Sequence, residues 1–143
     1  MIIEEILRKK GRGVVTIDAS ETVQGAVRRL VEHDIGSLVV VMDGRPVGII
    51  TERDVLRLAA RGPGKLGTTQ VADVMTRDMI TAEAGDGVKA VMDVMTEERI
   101  RHLPVVEVGR LVGIVSIGDV VNACRASAED ENHHLRRYIQ GVG

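Results

Sequence analysis

Apolar residues along the chain switch between two periods. Val14 to Ile17 is a short β-branched run, and Val23, Ala26, Val27 and Leu30 then fall at helical spacing between Glu21 and His33. A strand shows the same face every second residue and a helix about every 3.6, so this stretch predicts a strand followed by an amphipathic helix. Leu38 to Met42 and Val47 to Ile50 predict two further strands, joined by Asp43-Gly44-Arg45-Pro46, whose Asp-Gly suits a tight turn. Thr51 then opens a second helix that runs to about Ala60.

The same order returns from Met79 to Cys124, and a shift of 65 residues superimposes the two copies without a gap. Identical pairs include Thr16 with Thr81, Val23 with Val88, Ile35 with Ile100, Val40-Val41 with Val105-Val106, Val47-Gly48-Ile49 with Val112-Gly113-Ile114, and Asp54-Val55 with Asp119-Val120. A unit of strand, helix, strand, strand, helix is too small to close a core alone, and its strands carry near-continuous Val and Ile. Two copies packed together solve this. The expected architecture is a pseudo-symmetric α/β sandwich whose sheets meet in the middle and leave clefts between the halves.

Outside the repeat, Ile3 to Lys10 and Val71 to Thr76 read as equivalent lead-in helices. The expected division is residues 1–62 for the first half with its lead-in, 63–70 for a Gly, Pro and Thr linker, 71–125 for the second half, and 126–143 for a charged, helix-compatible tail. The tail places Leu135, Tyr138 and Ile139 on one side, so it is expected to dock on something such as a second subunit.

Composition narrows the function classes. Of 143 residues, 19 are Lys or Arg and 21 are Asp or Glu, giving a net charge of −2 with no polybasic block. Binding driven by phosphate neutralisation along a nucleic acid is disfavoured. Tyr138 is the sole aromatic residue, with Phe and Trp absent, which removes base-stacking platforms from nearly the whole chain. The lone cysteine, Cys124, sits among apolar residues and cannot pair internally, so a reducing compartment is expected. Acidic residues follow Met1 where a signal peptide would be basic, and no apolar run is long enough to cross a bilayer, so the expected location is the cytoplasm.

Two strings concentrate the available chemistry: Gly48-Ile49-Ile50-Thr51-Glu52-Arg53-Asp54 and Gly113-Ile114-Val115-Ser116-Ile117-Gly118-Asp119. Each ends a strand, opens a helix with a hydroxyl residue and places an aspartate one turn later. A helix start offers unpaired N–H groups and a positive dipole end to an anion. A carboxylate can accept from both hydroxyls of a ribose. The same pattern is also a capping box that needs no ligand, and the two roles coexist at an exposed helix start.

With Ile100-Arg101-His102-Leu103-Pro104-Val105-Val106, these strings resemble a tandem pair of CBS domains, the module named after cystathionine β-synthase, over roughly residues 1 to 125. The resemblance implies a Bateman module that binds adenosine-containing ligands in clefts, reports them to a partner or attached domain, and commonly pairs into disc-shaped dimers. It further implies that Asp54 and Asp119 hold ribose hydroxyls, that Thr51 and Ser116 serve the ribose-phosphate end, and that Val15, Ile80, Ile50 and Val115 wall the base. Gly36-Ser37 and Arg101-His102 occupy equivalent positions before the central strand, where the family often places phosphate contacts. The halves differ there, and Arg53 stands opposite Gly118, so the two clefts are expected to differ in affinity.

The expected ligand is thus AMP, ADP, ATP, NAD or S-adenosylmethionine, with no required cofactor, no metal and no catalytic residue. A homodimer and an unidentified effector protein are the expected partners. The alternative is a structural or dimerisation module whose motifs act only as caps. Other signals carry less. Gly62-Pro63-Gly64-Lys65-Leu66-Gly67 matches a dinucleotide-binding string but follows an expected helix, and His133-His134, adjacent in an expected helix, would point to different faces. A nucleophile built from Cys124 and His102 has no local activating arrangement.

Overall fold

The 65-residue repeat becomes a repeat of backbone register. In the computed structural model, which describes residues 1–127, the chain runs α1 (Ile3–Lys10), β1 (Thr16–Asp18), α2 (Val23–His33), β2 (Ser37–Met42), β3 (Arg45–Thr51), α3 (Glu52–Ala59), a short α4 (Lys65–Thr68), a 3-10 turn (Val71–Asp73), α5 (Val88–Glu97), β4 (His102–Glu107), β5 (Arg110–Ser116) and helical residues 117–127, called α6. Ser37 pairs with Thr51 and Val39 with Ile49 across β2 and β3; 65 residues later, His102 pairs with Ser116 and Pro104 with Ile114 across β4 and β5. Even the irregularity repeats, falling between Val40 and Val41 in one hairpin and between Val105 and Val106 in the other. The expected tail from residue 128 onward, including Leu135, Tyr138 and Ile139, lies outside the described residues.

Each half keeps its own core. Leu38, Val40 and Ile50 face Ile17, Val23, Ala26 and Leu30 in the first half, while Leu103, Val105 and Val115 face Val88, Val91, Met95 and Val120 in the second. Strand alternation sends Val39 and Ile49 to the opposite face of the first sheet, where Val39 is wholly buried. There β3 meets β5, so the sheets join in the middle as the duplicated pattern predicts.

The lead-in segments depart from the expectation of two equivalent helices. α1 forms, and its Ile3, Ile6 and Leu7 enter the core of the second half. The later segment shortens to the 3-10 turn, and its Val71 and Met75 enter the core of the first. Each half is therefore completed by the lead-in that sequence order assigns to the other. Complete burial of side chains the size of Ile3 or Leu7 contributes roughly 1.5–3 kcal/mol each. The later segment cannot stay helical because Thr76 is extended and exchanges two backbone hydrogen bonds with Ile49, at 3.0 and 2.9 Å.

Two strand glycines make these exchanges fit. A Cβ at Gly113 would stand 2.6 Å from Cδ2 of Leu7; one at Gly48 would stand 2.7 Å from both Sδ of Met75 and the carbonyl oxygen of Thr76. The first residue of each chemical string thus serves the packing of a lead-in.

The first strand of the second half is also shorter than expected. Where β1 pairs with β2 over three residues, Ala82 alone bridges Val105. Pro104 stands where Val39 stands in the first half and has no N–H to continue the ladder toward Ile80. On the other side, the carbonyls of Ala84 and Asp86 accept from Glu4 and Ile3 at the start of α1, at 2.8 and 2.9 Å. The predicted linker contains α4, which packs on α2 and α3.

Candidate functional site, a cleft between the halves

Thr51 ends β3 and caps α3. Its Oγ1 accepts from the Asp54 amide at 3.5 Å, while Asp54 Oδ2 accepts from the Thr51 amide at 2.9 Å and the Thr51 hydroxyl at 3.2 Å. In the second half, Ser116 Oγ accepts from the Asp119 amide at 3.1 Å, and Asp119 Oδ2 accepts from the Ser116 amide at 2.9 Å. Both strings are therefore capping boxes, as hydroxyl-x-x-acid predicts. A cap fixes the side-chain rotamer, so each aspartate is held at a defined place beside the end of its strand.

Above the junction of β3 and β5 lies a cleft of about 1150 Å³. Thr51, Arg53, Asp54 and Gly36 line it from the first half; Ile80, Arg101, His102 and Ser116 line it from the second. Sequence alone assigns Arg53 to one half and Arg101 and His102 to the other, without saying which cleft each enters. In the structure all three line one, because the paired hairpins bring the end of β3 and the start of β4 to the same side. Arg57, Arg99, Asp78 and Glu98 also line it, so cationic and acidic groups are mixed.

Several expected wall residues are placed elsewhere. Ile50 and Val115 are wholly buried in the two cores, facing their own helices, and do not wall the cleft. The alternate residue Ile49 does, with Met79 and Pro104. A one-residue step along a strand reverses the face, so Ile50 faces its own core while Ile49 faces the cleft. Val15 packs half-buried against the first core, and Ser37, paired with Thr51, is buried; neither lines the cleft. Asp119 is also outside its wall: Lys10 Nζ donates to Asp119 Oδ2 at 2.6 Å and to the Ile114 carbonyl at 3.0 Å. The contributions of Ile49, Met79, Asp78, Arg57 and Arg99 depend on how the halves meet, a relationship that local spacing does not carry.

Charge in the site follows from burial and neighbours. Burial pushes the His102 imidazole below its ordinary 6.5; Lys10 and Arg101 push the same way, against the opposing pull of Glu52 and Asp119. Burial alone would raise Asp119, but the hydrogen bonds from Lys10 and Ser116 outweigh it and hold the carboxyl below its ordinary value. Gly36 sits between the halves: a Cβ there would collide with Oε1 of Glu52 and stand 3.4 Å from Cε1 of His102. Its carbonyl accepts from the Glu52 amide at 3.1 Å, and Arg101 repeats this bond to Ile117 at 2.8 Å.

A second concavity, about 520 Å³, lies between α2 and α3 and is lined by Val27, Leu30, Val31, Val55 and Leu56 among others. Val31 and Leu56 are 76% and 70% exposed there. Among the described residues, no three His, Cys, Asp or Glu side chains converge as a metal site, and no helix is long and apolar enough to cross a membrane. His133 and His134 lie outside the described residues.

The CBS domain family matches residues 3–61 and 71–126, one match for each half. The CBS domain-containing protein CBSX3, mitochondrial, of Arabidopsis thaliana is 37% identical over 97% of this chain and 72% of its own length. Among solved structures, the CBS-domain containing protein ATU1752 from Agrobacterium tumefaciens is 39% identical, covering 86% of this chain and 98% of that one with a TM-score of 0.81. The CBS domain pair of protein MJ0100, in complex with 5-methylthioadenosine and S-adenosyl-L-methionine, is 28% identical over 89% of this chain and 98% of its own, with a TM-score of 0.78. The repeat in the sequence, its recurrence in register and caps, and these matches agree: the chain belongs to the CBS domain family as a tandem pair.

Proposed function

We propose that this CBS pair is a regulatory module that takes an adenine nucleotide of the AMP, ADP or ATP class, or a related adenosyl compound such as NAD or S-adenosylmethionine, in the cleft between its halves. One observation carries the reading: the Thr51–Asp54 cap holds a carboxylate beside a cleft that also presents Arg53, Arg101 and His102. A ribose diol needs acceptors, a phosphate needs donors and cations, and a purine can rest on Ile49, Met79 and Ile80 in a chain without Phe or Trp. The adenosyl ligands of the MJ0100 pair support the same ligand class.

Regulation follows from the origin of the lining groups. A ligand held by Asp54 on one side and Arg101 on the other links the halves through its own contacts and favours the arrangement in which both reach it. The module would pass that bias to an effector protein or a second copy. The apolar groove between α2 and α3, with Val31 and Leu56 exposed, supports a homodimer contact. Lone Cys124 supports a reducing compartment such as the cytoplasm.

Calorimetric titration with AMP, ADP, ATP, NAD and S-adenosylmethionine tests the reading. At least one should bind the wild type, and Asp54→Ala should lose it. The capping boxes favour a second reading, in which the motifs are structural only. In that case no adenosyl compound would raise the melting temperature at any concentration.

A further inference from the structure

The halves differ in what reaches the aspartate of each motif, and the difference begins at a strand edge. In the first half, the outer edge of β3 at Ile49 is closed by the backbone of Thr76, whose amide donates to the Ile49 carbonyl at 2.9 Å. Asp54 is left with its cap bonds and, among the described residues, no ion pair. In the second half the segment over the strand is α1, whose first amides donate to Asp86 and Ala84 and whose later ones are committed within the helix, so no backbone amide of α1 reaches the Ile114 carbonyl. The carbonyl of Ile114, the counterpart of Ile49, is met instead by Lys10 Nζ at 3.0 Å. The same ammonium reaches Asp119 at 2.6 Å, in an ion pair whose side chains are 35% and 27% exposed. Just past α1, Arg12 pairs with Glu4 and ties the chain back to the helix that carries Lys10.

We infer that Lys10 occupies the second ribose position as a built-in counter-ion, so that the module takes one adenosyl ligand, at Asp54, and not two. The inference rests on the proposed reading that these motifs bind ribose. A diol arriving at Asp54 has only to turn the Thr51 hydroxyl, a group free to rotate. A diol arriving at Asp119 has to displace an ammonium, leaving a partly buried charge and the Ile114 carbonyl without their partner. Lys10 is thus a specificity-determining residue contributed by the exchanged lead-in helix.

Calorimetric stoichiometry with AMP, ATP and S-adenosylmethionine, each titrated separately, tests the inference on wild type, Lys10→Met, Lys10→Arg and Asp54→Ala, and on Lys10→Met combined with Asp54→Ala. Wild type and Lys10→Arg should bind one equivalent, Asp54→Ala none, Lys10→Met two, and the double variant one equivalent that is lost on adding Asp119→Asn. Melting curves establish that each variant is folded; Lys10→Arg, which retains the cation, keeps the comparison meaningful if Lys10→Met is unfolded, because two equivalents on wild type or Lys10→Arg overturn the inference. A single equivalent on folded Lys10→Met that is lost on adding Asp54→Ala also overturns it, as does wild-type binding lost in Asp119→Asn but kept in Asp54→Ala, and either result leaves ligand binding itself standing. Silence of wild type with binding to Lys10→Met at Asp119 would support the plug and refute the Asp54 cleft. Failure of every probe on every folded variant overturns both.

Discussion

Asp43 and Val108 occupy the same place in the two hairpins and share one backbone conformation, with φ of 53° and 49°, each followed by a glycine at positive φ. Two positive φ values in succession are the turn that matches strand twist, and Asp-Gly suits it. Valine does not, because its branched Cβ crowds the carbonyl in the left-handed region.

Val108 is fully exposed, so replacing it removes no packing. Val108→Asp, which copies the first half, should stabilise the fold by about 1 kcal/mol. The expected rise in melting temperature is about 3 °C for a domain of this size. A fall on calorimetric melting would contradict the assignment of strain to this turn.

The two strand glycines should respond differently to rescue. Gly48→Ala and Gly113→Ala should each destabilise by about 1–3 kcal/mol through overpacking. Adding Leu7→Ala should recover part of the Gly113→Ala loss, since the three atoms nearest that Cβ all belong to the Leu7 side chain. Adding Met75→Ala should not recover Gly48→Ala, because the Thr76 carbonyl oxygen remains in the way. Equal rescue in urea-unfolding cycles would refute the backbone contact at Gly48.

Acid should weaken the fold through His102. Its folded pKa lies below the ordinary 6.5, so the unfolded chain binds the proton more readily. The stability tied to the neutral imidazole is complete above about 6.5 and is lost as pH falls from there toward the folded value. Asp119 acts lower: its folded pKa lies below 3.8, so its contribution holds above that value and is lost beneath it. His102→Gln should flatten the first decline in melting temperature between pH 7.5 and 5.5 without touching the second.

A phosphate-bearing ligand should reverse the preference of His102. An anion near the imidazole favours its charged form, so binding takes up a proton and affinity rises as pH falls from 7.5 to 6. Titrations in buffers of different ionisation enthalpy would read that proton directly. Unchanged heats across buffers would place the phosphate away from His102.

Polar replacement of the groove between α2 and α3 should act on association more than on folding. Val31→Glu with Leu56→Glu places charges at residues already exposed, so melting should change little. Any dimer built on this face should shift to monomer in sedimentation, and an unchanged dimer would move the contact elsewhere.

The hairpins, the turns and both caps were legible in the sequence because each rests on interactions within a few residues, and the repeat because the same local pattern recurs 65 residues on. Period-two alternation marks a strand, Asp-Gly marks a turn, and a hydroxyl with an acid three residues on marks a helix start. The same locality explains what was not legible. Whether Ile49 or Ile50 faces the cleft depends on which side of β3 the other half occupies, and alternation alone leaves that choice open. The exchange of lead-ins, the truncated strand beside Pro104, the gathering of Arg53 with Arg101 and His102, and the hold of Lys10 on Asp119 all join residues far apart in the chain. Tertiary packing decided them, because a strand edge, a buried glycine and an ammonium find their partners only when the two halves close on each other.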